Sequence, residues 1–149
     1  MRSGVLMRCT AQRELPASLD EVWALLAEPY HLSDWWPGIH AVRPDRRGLA
    51  AGARWEVVGP PMPTLFRRAH AVGKLVVGEV QPAESLRFAL LADRLTVEVH
   101  LSALSGDRTL ATVSVEGPWR PEVLGRPRRL PAVALSRLDA LCQTAASLR

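Results

Sequence analysis

The stretch that most constrains the fold is the C-terminal one, Leu130–Leu148, reading LPAVALSRLDALCQTAASL. Ala134, Leu138, Leu141, Ala145 and Leu148 recur at alternating four- and three-residue steps, with Leu135 and Cys142 beside them. One side of a helix is therefore apolar. Ser136, Arg137, Asp139, Gln143, Thr144 and Ser147 cover the other side. At the helical rise the segment is about 27 Å long, enough to cross a small domain. Nearly everything from residue 39 to residue 118 reads instead as short strands and turns. A long amphipathic helix after a run of strands predicts an α+β arrangement in which a sheet folds over that helix.

The order of elements supports this. Val5–Leu15 alternates loosely as a first strand, ended by Pro16. Ser18, with Glu21 three residues later, forms a capping box for a helix over Leu19–Glu28, which Pro29 stops. Ser33 is expected to cap a second short helical turn, and Pro37–Gly38 to turn the chain. Of the adjacent Trp35 and Trp36, one is expected in the core and the other at a cavity or its rim, because neighbours on one helix face different ways. Strands follow at Ile39–Pro44, Gly52–Val58, Ala69–Val80, Leu86–Leu91, Leu95–Leu104 and Thr109–Gly117. The phase of Ala69–Val80 stays open, since valines occupy both faces and Gly73 and Gly78 permit a bulge. Short turns between consecutive strands predict an antiparallel meander. Pro127 and Pro131 are expected to break or kink any helix that begins near Pro121.

Composition narrows the function classes. A chain of 149 residues, 48% apolar and 23% charged, suits one domain over residues 1–149. No apolar run approaches a membrane span, and the charged N-terminus lacks a signal core, so a cytoplasmic location is expected. The net charge is +4, carried by arginines with Lys74 the single lysine, and no long basic run or zinc-finger spacing accompanies it. Nucleic acid is not an expected partner. Cys9 and Cys142 stand alone and read as small buried hydrophobes, and no cluster has metal-ligand spacing, so neither a metal nor a cofactor is expected.

Four local motifs resemble those of one superfamily. These are Pro16-Ala17-Ser18-Leu19-Asp20-Glu21-Val22-Trp23, then Glu28-Pro29 with Trp35-Trp36-Pro37-Gly38-Ile39, then Gly52-Ala53-Arg54-Trp55, and finally Glu79-Val80-Gln81-Pro82 with Leu86-Arg87-Phe88. Their order is similar to that of the START-like (SRPBCC, helix-grip) superfamily, within it the bacterial polyketide cyclase/dehydrase and lipid-transport family. The resemblance implies a helix-grip fold: a curved antiparallel sheet of about seven strands around a long C-terminal helix, with two short helices after strand one. It also implies an internal cavity for a lipid, polyketide or other aromatic molecule, with only some members being enzymes.

Candidate site residues follow from both readings. Trp35, Trp36, Trp55 and Met62 suit an aromatic and thioether rim, or core and lid packing. Phe88, Val97, Val99, Leu135, Leu138 and Cys142 are expected to face a cavity between sheet and helix, or to fill it. His70 lies in the strand of open phase and is the one histidine expected to reach such a cavity; His31 and His40 suit loop positions, and His100 points outward by alternation. Tyr30, Arg54, Arg67, Arg68 and Lys74 are candidate polar anchors or plain surface residues. The expected partner is a small hydrophobic ligand, with a homodimer left open. The alternatives are a polyketide cyclase or dehydratase, which needs a positioned acid or base, and an interaction module with a filled core.

Overall fold

The computed structural model describes residues 6–59, 71–118 and 126–148. Met62, Arg67, Arg68 and His70 lie outside the described residues. The elements run β1 (Leu6–Leu15), α1 (Leu19–Ala27), a 3-10 turn (Pro29–His31), α2 (Leu32–Trp35), β2 (Ala41–Arg43), β3 (Arg54–Val58), β4 (Ala71–Gln81), β5 (Ser85–Leu90), β6 (Leu95–Ser105), β7 (Arg108–Pro118) and α3 (Arg126–Ser147). The seven strands form one antiparallel sheet in the order β1-β7-β6-β5-β4-β3-β2. Strands β2 to β7 are a meander, and β1 closes the far side by pairing with β7 along its whole length, Leu6 opposite Pro118 and Leu15 opposite Thr109. This is the helix-grip fold.

Local chemistry explains the helical unit after β1. The Ser18 hydroxyl accepts the Glu21 N–H at 3.2 Å and donates to the Glu21 carboxylate at 3.0 Å, so Ser18 caps α1 as expected. Val22 and Leu26 carry α1 onto the core. The buried Thr109 hydroxyl donates to the Ala17 carbonyl at 2.9 Å and ties the β1–α1 turn to β7. Gly38 adopts φ +89°, a conformation that a side chain would strain.

A bulge settles the phase of β4. Val77 lies opposite Phe88, but Val80 lies opposite Leu86, so β4 spends one residue more than its partner across Gly78–Glu79. Leu75 and Val77 are fully buried, and Val80 packs on the core as well. Regular alternation would have turned Val80 outward.

Two expectations about α3 need correction. The helix continues through Pro131 rather than breaking there. Pro127 sits in the first turn, where no intrahelical donor is needed, and Pro131 falls early enough that a single backbone bond is forfeited. Asp139, placed on the polar side by periodicity, is 7% exposed. Arg13 of β1 reaches it with Nε and Nη2 at 2.9 and 2.6 Å from Oδ2, and Gln143 donates to Oδ1 at 3.1 Å. The helix packs on β1, β7 and α2, and this charged bond fastens it to the edge strand.

Arg13→Ala leaves the Asp139 carboxylate buried without its cation and is expected to lower stability by about 2 kcal/mol, the half-exposed arginine moderating the loss. Arg8→Ala, which breaks the exposed Arg8–Glu116 pair, is expected to change stability by less than about 0.5 kcal/mol. Urea unfolding of the two variants measures the difference.

Candidate functional site

The site is built on three aromatic rings. Trp35 is the last residue of α2, while Trp36 has left the helix with φ −94° and ψ 121°. That single extended residue turns the second indole back, so both rings are buried, at 1% and 2% exposure. The helix ends between them, and both side chains reach the core. Their centroids are 6.0 Å apart at 84°, and each meets Phe88 of β5 edge-on, at 6.2 and 6.0 Å. Edge-to-face pairs bring a ring's positive rim to another's negative face.

Beside this cluster lies a small apolar pocket. Trp35, Leu32, Leu26 and Pro29 wall it from the helical unit. Leu75, Val77, Leu86, Phe88 and Trp55 wall it from β3, β4 and β5, and Leu49 closes it from the β2–β3 loop. The centre of a water-sized sphere can occupy about 10 Å³, room for roughly one water molecule. Every wall residue is apolar, and none is titratable.

Of the residues named from sequence, Trp35, Trp55 and Phe88 line this pocket. Trp36, Val97, Val99, Leu135, Leu138 and Cys142 are buried in the core and are not part of its wall. This pocket lies between the α1–α2 unit and strands β3 to β5. Leu26, Leu32, Leu49, Leu75, Val77 and Leu86 complete the wall. Leu86 and Leu26 fall within a strand and a helix that the sequence marks. Nothing in the local pattern marked Leu49, which is brought in by a loop.

That loop is held by named bonds. The Asp45 carboxylate accepts the backbone N–H of Arg47 and of Arg54, each at 2.9 Å, and the Trp55 indole donates to the Gly48 carbonyl at 2.9 Å. The Arg54 N–H, more than any other group, holds the Asp45 carboxyl below its usual value of 3.8. By contrast, the Trp35 indole nitrogen is buried and has no hydrogen-bond partner.

Polar side chains gather away from the pocket. On the outer face Glu98 meets His100 at 2.5 Å and Arg87 at 2.9 Å, and these partners, His100 first, lower the Glu98 carboxyl. His31 pairs with Asp34 at 3.2 Å, and Tyr30, Arg54 and Lys74 are exposed. Burial, reinforced by Asp139, pushes the Cys142 thiol up to about 11, so it is a packing group and not a nucleophile. Among the described residues no group of three His, Cys, Asp or Glu could hold a metal. No described helix is long and apolar enough to cross a membrane.

Neither a family model nor a curated protein sequence matches the chain. Solved structures do. A point mutant of norcoclaurine synthase from Thalictrum flavum, complexed with a transition-state analogue, superimposes with TM-score 0.67 at 19% identity over 98% of this chain and 99% of that one. Protein NE0264 from Nitrosomonas europaea gives 0.66 at 18% identity, over 95% and 97%. DynU16, from the dynemicin biosynthetic locus, gives 0.64 at 20% over 93% of this chain but 48% of that one, so this chain spans about half of it. Likeness at these identities defines the fold and leaves activity to the residues.

The Asp45 latch has a definite pH sign. Its carboxyl is lowered in the folded protein, so its contribution is present above the ordinary value of 3.8 and is lost as the pH falls through the lower folded value. The Trp55 indole proton, followed by NMR, is expected to move below about pH 3.8 in the wild type. In Asp45→Ala it is expected to sit at its displaced position at every pH. At about pH 8, a thiol reagent is expected to leave Cys142 unmodified until the chain is unfolded.

Proposed function

We propose that this protein binds a small apolar ligand, aromatic in character, at the pocket walled by Trp35, Trp55 and Phe88. The observation that carries this reading is the wall itself, which offers ring edges and aliphatic carbon and no ionisable group. Burial of apolar surface, at roughly 25 cal/mol per Å², supplies the affinity of such a site. A structure of norcoclaurine synthase holding dopamine and hydroxybenzaldehyde supports aromatic occupants in this fold, with TM-score 0.65 and 19% identity. In the form described the pocket holds no more than about one water, so a ring is admitted only when the wall opens. Leu49 is the wall residue on a loop, and the Asp45 and Trp55 bonds are what that movement must break.

The wall also supports binding over turnover at this place. A cyclase or dehydratase needs an acid or base within hydrogen-bond reach of its substrate, and no pocket residue supplies one. An interaction module would instead present one large apolar patch. The exposed Leu6 and Leu91 belong to the sheet end where Leu6 faces Pro118, while Leu104 belongs to the opposite end, beside the β6–β7 hairpin.

Small aromatics such as toluene, phenol and acetophenone are expected to stabilise the protein. A hundredfold excess over Kd corresponds to about 2.7 kcal/mol, which is roughly 5–10 °C in Tm. Leu86→Phe, which fills the pocket, is expected to stay folded and lose the shift. An equal shift in that variant would overturn this placement of the site.

A further inference from the structure

We infer that the ligand carries one neutral hydrogen-bond acceptor, a carbonyl- or ether-type oxygen on an otherwise apolar ring, and that the Trp35 indole N–H donates to it. This rests on the reading that the pocket binds small apolar molecules. Two indoles stand in the wall, and they differ in one respect. The Trp55 N–H is satisfied by the Gly48 carbonyl at 2.9 Å, whereas the Trp35 N–H, on a residue 1% exposed, has no partner. An unpaired buried donor is destabilising, and a phenylalanine would fill the same place in the aromatic cluster without that penalty.

The remaining wall selects what can relieve it. A buried water needs two to four polar partners, and every other wall residue is apolar, with the Trp55 donor already engaged. A carboxylate or phosphate would need a cation, and the wall has none. An oxygen attached to an apolar body meets both conditions: one acceptor for the single free donor, and carbon against carbon elsewhere.

The test uses two molecules of the same shape, acetophenone and α-methylstyrene, in which a carbonyl oxygen is exchanged for a methylene. With indole-15N-labelled wild-type protein, acetophenone is expected to bind about fivefold more tightly than α-methylstyrene, the ratio of one net hydrogen bond. It is also expected to move the Trp35 indole proton downfield, towards the position of the carbonyl-bonded Trp55. Trp35→Phe is expected to bind acetophenone no more tightly than α-methylstyrene. The proton shift is read in the wild type, so the result stands even if the variant does not fold. Equal binding of both molecules with an unmoved Trp35 proton overturns the acceptor inference and leaves the apolar pocket standing. A Trp35 proton already at the hydrogen-bonded position without ligand overturns it too. Failure of both molecules to bind overturns the pocket reading, and this inference with it.

Discussion

The contact on which the interior depends is the edge-to-face meeting of Trp35 and Trp36 with Phe88. It joins a helix of four residues, too short to hold itself together, to the middle of a seven-stranded sheet. Each such ring pair contributes about 0.5–1.5 kcal/mol beyond the area it buries. With α2 held in this way, the concave face is shared between two covers. The long helix α3 takes β1 and β7, while α1 and α2 contribute Leu26, Leu32 and Trp35 to the pocket that β3, β4 and β5 wall from the other side.

The outer face obeys a different chemistry. Cross-strand polar pairs such as Thr10–Ser114 and Gln12–Thr112, with ion pairs such as Arg87–Glu98, satisfy each other in contact with solvent. They contribute little individually and serve register more than stability. Arg13–Asp139 is the exception, because its carboxylate is withdrawn from water and the pair joins a helix to the sheet. Ionisable groups are thus spent on the outer face and on docking α3, which leaves the described pocket an apolar space. Its wall is apolar, and one of its two tryptophans, Trp35, carries an unpaired indole N–H.

Strand positions were legible from period-two alternation, and β1, β5, β6 and β7 lie within a residue or so of where that alternation puts them. The first helix was legible from its Ser18 cap. Such signals are local, each resting on a few neighbouring residues. Residues without a local signal were read less well. Asp139 looked like one more polar residue on a helix surface until Arg13, 126 positions away, faced it. Leu49 sits in a loop with no periodicity, and hydrogen bonds such as those of Asp45 and Trp55 hold that loop over the pocket.

The sequence by itself determined the order and kind of the elements, the apolar face of the regularly alternating strands, and the presence of aromatic side chains at Trp35, Trp36, Trp55 and Phe88. It did so because propensity, capping and alternation act over a handful of residues, within reach of a linear reading. Tertiary structure alone decided that both adjacent tryptophans turn inward, that β4 bulges at Gly78–Glu79 so that Val77 and Val80 share the core, and that Leu49 of a loop joins residues of α1, α2 and three strands around one pocket. Those outcomes depend on how packed elements divide one volume. Side chains distant in sequence compete for the same space there, and no local pattern records which of them fills it.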